Sequence, residues 1–105
     1  MSWKARIKPL LKKAIQEKNM PAIATNLRLA AKEAYQNGEK EIAVKLIELS
    51  LNFAEGSNQY VLGLLDWKYY TTGERVSMEN INFMGPEISP DLPWEKLNSI
   101  IQSLS

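Results

Sequence analysis

The chain contains neither cysteine nor histidine among its 105 residues. Without cysteine there is no disulfide framework and no thiolate to serve as a nucleophile or a metal ligand. Without histidine, the commonest acid–base catalyst and the commonest ligand for transition metals are missing as well. The sequence therefore predicts a protein that is not an enzyme and that carries no metal and no cofactor.

A long apolar run is also missing. The best candidates are interrupted by Lys45 and Glu48 or by Asp66 and Lys68, so none reaches the roughly 18 apolar residues that a membrane-spanning helix needs. The basic N-terminus lacks the apolar core of a signal peptide, because further lysines and a proline follow it. We expect a cytoplasmic protein with no membrane partner, which agrees with the absence of cysteine.

The apolar share of 45% and the charged share of 24% are those of an ordinary globular domain. Three prolines lie within residues 85–93, and each disfavours helix in the residue before it. This segment is predicted to be an irregular arm. Too few residues follow it to build a second core, so we expect one helical domain over residues 1–105 with the arm inside it.

Apolar residues recur at three- and four-residue spacing on both sides of Asn37-Gly38. This spacing predicts two amphipathic helices, at about residues 21–36 and 39–54, joined by a tight turn into a hairpin. The second of them is apolar around more than half of its circumference. We therefore expect it to be the central buried helix.

Three other segments show helical spacing. The N-terminal one contains Pro9, so either the helix kinks there or its main part begins near that residue. The others cover about residues 58–70 and 93–104, whereas residues 76–84 are either a short helix or an extended piece. The sequence thus predicts an all-α fold of four to five helices, arranged as a bundle or as a stack of helical hairpins.

The hairpin has small and apolar residues at characteristic spacing, namely Leu27, Ala30, Ala31, Ala34, Tyr35 and Gly38, followed by Ala43, Ile47, Ser50 and Leu51. Over residues 24–55 this pattern resembles a tetratricopeptide repeat. Leu27 stands where that family typically has tryptophan, and Glu55-Gly56 stands near its closing proline. The resemblance implies a scaffold that binds other proteins, but any hairpin with small residues at its crossing produces a similar pattern.

Aromatic residues are concentrated between Tyr60 and Tyr70, and Trp94 lies farther on. Tyr60 and Trp67 are seven residues apart and share a helix face, which favours the core. Tyr69 and Tyr70 point in different directions, so at least one of them should be exposed. We predict a protein-interaction module or adaptor whose partner, another protein, binds at Tyr69, Tyr70 and Trp94.

Charge is distributed unevenly along the chain. Residues 1–20 hold six lysines and arginines against one glutamate, a net charge of +5, and the remainder has a net charge of −4. Such a basic end can attract an anionic partner. The alternative prediction is a regulatory protein that binds nucleic acid through its N-terminal helix, using Lys4, Arg6, Lys8, Lys12 and Lys13.

The last helix presents Trp94, Leu97, Ile101 and Leu104 on one side. Burying such a face is favourable by about 1.5–3 kcal/mol for each large side chain. We expect the helix to dock on its own chain. Because the arm that precedes it is irregular, exchange of this helix between two copies would give a homodimer.

Overall fold

The computed structural model describes residues 2–104. Within that range it contains no strand, one turn of 3₁₀ helix at Met78–Asn80, and five α-helices: α1 (Trp3–Gln16), α2 (Met20–Gln36), α3 (Lys40–Phe53), α4 (Asn58–Thr72) and α5 (Trp94–Ser103). The prediction of an all-α fold is confirmed. No helix in this part of the chain combines the length and the apolar character needed to cross a membrane.

Local sequence signals set the ends of α2. The Asn19 side-chain oxygen accepts the backbone N–H of Ala22 at 3.2 Å and caps the first turn. At the other end, Gly38 adopts a left-handed φ of 79°, and the N–H of Glu39 returns to the carbonyl of Ala34 at 2.9 Å. This closure satisfies a terminal carbonyl of α2 and turns the chain directly into α3.

Helix α1 continues through Pro9 without a break. Proline has no N–H to donate, so the carbonyl of Ala5 loses its usual partner in the helix. Ala5 and Pro9 are both exposed, so water can donate a hydrogen bond to the Ala5 carbonyl. The single helix therefore begins at Trp3 rather than near the proline.

The α2–α3 hairpin forms the centre of the molecule. Helix α2 packs on α1, α3 and α4, while α3 packs on α2, α4 and α5. Alanines let the helices approach closely, and the buried Ser50 hydroxyl donates to the Ala24 carbonyl across the hairpin at 2.8 Å. Leu46, Ile47 and Leu51 are fully buried on α3. The prediction that this helix is central and buried is confirmed.

Beyond α4, the segment without α-helix covers residues 73–93 and is longer than the predicted arm of residues 85–93. We call this whole segment the arm, and it is held at separate points. The Phe83 ring stacks on Trp67 with centroids 6.4 Å apart, and the Ser89 N–H donates to the Asn52 side chain at 2.9 Å. Residues 76–84 contain the 3₁₀ turn and are otherwise irregular, so they form neither of the two predicted alternatives, a short α-helix or an extended piece. The arm leads to α5, which contacts α1 and α3.

Helix α5 docks on its own chain, as expected. Its buried side chains Leu97 and Ile101, together with Leu104 just after the helix, join the same hydrophobic cluster as residues of the other four helices. Exchange of this helix between two copies stays a prediction.

Candidate functional site

A cleft of about 570 Å³ lies between α2 and α4. Residues spaced by three, four or seven positions share a helix face, and this spacing brings Arg28, Lys32 and Tyr35 to one wall. Helix α4 and the residues after it form the other wall. We call this site the α2–α4 cleft, and its lining residues are Arg28, Leu29, Lys32, Tyr35, Gln36, Asp66, Tyr69, Tyr70 and Arg75.

Three tyrosines form the aromatic part of the cleft. The Tyr35 ring stacks on Tyr70 with centroids 4.6 Å apart, and it is tilted against Tyr69 at 5.3 Å. Tyr70 is only 5% exposed. Its burial, together with the nearby Asp66 carboxylate, raises its pKa to about 12, so its hydroxyl is protonated at neutral pH.

The charged groups of the cleft are held in place by contacts across it. Arg28 lies 3.6 Å from the Asp66 carboxylate through Nη1, and its Nε donates to the Gln59 side-chain oxygen at 3.1 Å. Burial raises the pKa of Asp66, although the positive charges of Arg28, Lys32 and Arg75 act in the opposite direction.

Positive charge is in excess in the cleft. Three cations, Arg28, Lys32 and Arg75, face one carboxylate, and that carboxylate is paired with Arg28. Among residues 2–104 no ion pair involves Lys32 or Arg75. The Arg75 guanidinium instead lies 4.2 Å from the centre of the Tyr69 ring, a cation–π contact. The cleft therefore combines aromatic surface with two uncompensated cations.

The structure separates the three residues predicted to bind a partner. Tyr69 is half-buried and lines the cleft. Tyr70, which was also predicted to bind the partner, is buried beneath the Tyr35 ring at the base of the cleft. Trp94 packs edge-on against Phe53 at 5.2 Å. Phe53 ends α3, whereas Tyr35 lies beside the turn before α3, so Trp94 is at the opposite end of the hairpin.

The remaining aromatic residues expected in the core are only partly buried. Trp67 and Tyr60 are both half-buried and pack against the core from its edge. The Trp67 indole N–H donates to the Glu48 carboxylate at 3.0 Å. That bond explains why Trp67 stays at the rim, since a tryptophan N–H needs a polar partner.

The basic N-terminal face is partly neutralised by its neighbours. Lys4 lies 3.7 Å from the Glu39 carboxylate, and Arg6 lies 3.5 Å from that of Glu33. Lys12 and Lys13 are exposed, and Lys8 is half-buried. The two ion pairs tie α1 to the α2–α3 hairpin and reduce the charge available to nucleic acid. Binding of nucleic acid here stays a prediction.

A second groove, of about 580 Å³, lies between α3, the arm and α5. Leu49, Pro93 and Ile100 supply its apolar surface. The charged residues around it are Lys45, Glu48, Glu87, Glu95 and Lys96. These two lysines and three glutamates nearly balance, so the groove has no strong preference for the charge of a ligand. The α2–α4 cleft, in contrast, has an excess of positive charge and therefore favours an anionic ligand.

Sequence reasoning missed most of the cleft. Arg28, Lys32 and Tyr35 share one face of α2, which is a visible signal, but nothing in the sequence shows that Tyr69 and Arg75 lie opposite them. In the part of the chain that the structure describes, no group of three or more acidic side chains is arranged to hold a metal ion.

Comparisons of the chain with protein-family models, with curated proteins and with solved structures find no match. The resemblance to a tetratricopeptide repeat over residues 24–55 therefore stays a prediction.

Proposed function

We propose that the protein is a non-enzymatic interaction module that binds a segment of a partner protein in the α2–α4 cleft. The observation that carries this proposal is the combination of Tyr35, Tyr69 and Arg75 in one concave site. Tyrosine and arginine are enriched among the residues that supply most of the free energy of protein association. Concave sites between helices are also where ligands are commonly bound.

The cleft is organised before any ligand arrives. Stacking fixes the Tyr35 ring against Tyr70, and two polar partners hold Arg28. Ordering a mobile side chain on binding costs about 0.5–1.5 kcal/mol, so side chains that are already ordered favour affinity. Leu29, which is 44% exposed, adds apolar surface at the edge of the cleft.

A peptide library displayed on phage tests the proposal. Peptides selected on the immobilised protein should bind in the α2–α4 cleft, and their chemical-shift changes in labelled protein should cluster around Leu29 and Tyr69. The double variant Leu29→Ala and Lys32→Ala should weaken these peptides by about tenfold, which corresponds to 1.4 kcal/mol. Both side chains are exposed, so the fold should be preserved.

A matched control is available on α1. Leu10 is 49% exposed and Lys13 is exposed as well, so Leu10→Ala with Lys13→Ala removes the same kinds of side chain from another surface. This control should bind the selected peptides like the unmodified protein. The proposal would be contradicted by selected peptides whose affinity is unchanged in the cleft variant. It would also be contradicted by peptides that change the chemical shifts only of residues in the groove beside α5. Failure to select any peptide would do the same.

A further inference from the structure

We infer that the α2–α4 cleft takes an acidic segment, with two or more carboxylate side chains that face Lys32 and Arg75. This inference rests on the proposed function and adds the chemistry of the ligand.

The first argument is charge complementarity. The Asp66 carboxylate lies 3.6 Å from Arg28 and balances its charge. The positive charges of Lys32 and Arg75 remain in the cleft. A carboxylate that reaches Lys32 or Arg75 forms a charge-assisted hydrogen bond, which is stronger than a neutral one. A basic segment would instead meet three cations. Like charges placed together at an interface strongly disfavour the wrong partner.

The second argument is the position of Arg75. Its guanidinium lies over the Tyr69 ring at 4.2 Å. Contact with a ring face uses the charge of the guanidinium but not its N–H groups, which stay available to bind a planar carboxylate at two points. Arg75 follows the end of α4, where Gly73 turns the chain with a φ of 77°. The ring and the turn together hold this arginine at the mouth of the cleft.

The third argument separates an acidic peptide from nucleic acid. Binding of single strands relies on open aromatic faces on which bases stack. Here Tyr35 stacks on Tyr70, and Arg75 covers a face of Tyr69. The side-chain amide of Gln36, in contrast, offers both a donor and an acceptor to a peptide backbone.

Fluorescence anisotropy with two labelled peptides tests the inference. One peptide alternates glutamate with leucine and serine, and the other has glutamine in place of every glutamate. We expect the acidic peptide to bind the unmodified protein at least about tenfold more tightly than its glutamine counterpart. Its binding should also weaken as salt is raised, because the contacts are between partly exposed charges.

Paired charge reversals locate the site. Lys32→Glu with Arg75→Glu should weaken the acidic peptide by more than about tenfold. Lys12→Glu with Lys13→Glu changes the net charge of the protein equally but lies on α1, and it should leave the affinity within about twofold. If circular dichroism shows that the cleft variant is unfolded, Lys32→Gln with Arg75→Gln replaces it and should still weaken binding.

Each of the following outcomes would contradict the inference. Equal losses in the two reversals would show only a general attraction to a basic protein. Equal binding of the two peptides, or none by the acidic one, would show that carboxylates are not the ligand. A thymidine oligonucleotide that binds more tightly and depends on Lys32 and Arg75 would indicate nucleic acid. In the first two cases, library peptides that map to the cleft would leave the proposed function standing.

Discussion

The α2–α3 hairpin and the C-terminal segment of arm plus α5 are stabilised in different ways. Across the hairpin, small side chains let two helices pack along their whole length, with a buried hydrogen bond from Ser50 to Ala24. The arm is attached at isolated points, such as Phe83 on Trp67 and Ser89 on Asn52. Continuous packing must be lost all at once, whereas separate attachments can open one at a time.

This difference matters for the two concave surfaces. The α2–α4 cleft is built mainly on α2 and α4, which pack against other helices, and one of its lining residues, Arg75, belongs to the arm. The groove beside α5 is formed partly by the arm and depends on its attachments. A site on rigid elements keeps its geometry more reliably than one on a loop. Substitutions of the same kind in the hairpin and in the C-terminal segment can test this difference in stability.

We expect Leu46→Ala to cause the largest loss in the free energy of unfolding. Leu46 is fully buried on α3, and replacing a buried leucine by alanine costs about 2–5 kcal/mol through lost burial and the cavity left behind. Urea unfolding should show this loss in one cooperative transition. The neighbouring exposed residue provides the control, since Lys45→Ala should change stability little. A loss below about 1 kcal/mol for Leu46→Ala would contradict continuous packing in the hairpin.

Leu97→Ala makes the same change in the C-terminal segment. Leu97 is also fully buried. Because an irregular arm connects α5 to the rest of the chain, we expect α5 to detach before the hairpin unfolds and the loss to be smaller, about 1–3 kcal/mol. Hydrogen exchange should quicken in α5 and stay slow in α2 and α3. Equal quickening in all helices would show that α5 belongs to the same cooperative unit. Light scattering on this variant would also reveal whether a released α5 gives a dimer.

Two glycines allow a finer comparison. A methyl group on Gly63 would lie 2.8 Å from the fully buried Leu51 side chain, and one on Gly85 would lie 2.5 Å from Leu64. Between α3 and α4 there is little room to move, so Gly63→Ala should cost about 1–2 kcal/mol. The arm can shift, and Gly85→Ala should cost less than about 1 kcal/mol. Thermal unfolding measures both, and the opposite order would contradict the comparison.

At neutral pH we expect Tyr70→Phe to have the smallest effect on the free energy of unfolding. Its effect should become visible at alkaline pH. Burial raises the pKa of Tyr70 from 10.0 to about 12. The stability that comes from this raised pKa is complete below pH 10 and is lost as the pH rises towards 12. The reason is that the Tyr70 hydroxyl loses its proton at lower pH in the unfolded state than in the folded state. Stability measured from pH 9 to 11.5 should fall less steeply in the phenylalanine variant. Parallel curves would show that Tyr70 ionises normally.

The hairpin was predictable because its signals are local. Apolar spacing and the turn at Asn37-Gly38 depend only on neighbouring residues, and the observed helix ends lie within one residue of those expected. The path of residues 76–84 was not predictable, since it follows contacts such as Phe83 on Trp67. Of the cleft, only Tyr69 and Tyr70 were predicted from the sequence. Its other lining residues lie on α2, on α4 or just after α4, and sequence spacing alone does not show that these two helices face each other.

By itself the sequence determined the all-α fold class and the positions of the main helices. Its apolar residues recur with the period of a helix. The tertiary structure decided which charges and rings face each other. It placed Arg75 over Tyr69, covered Tyr70 with Tyr35, and paired Lys4 with Glu39. Helical period is a local property, whereas these contacts depend on how whole helices cross, which many small packing interactions determine together.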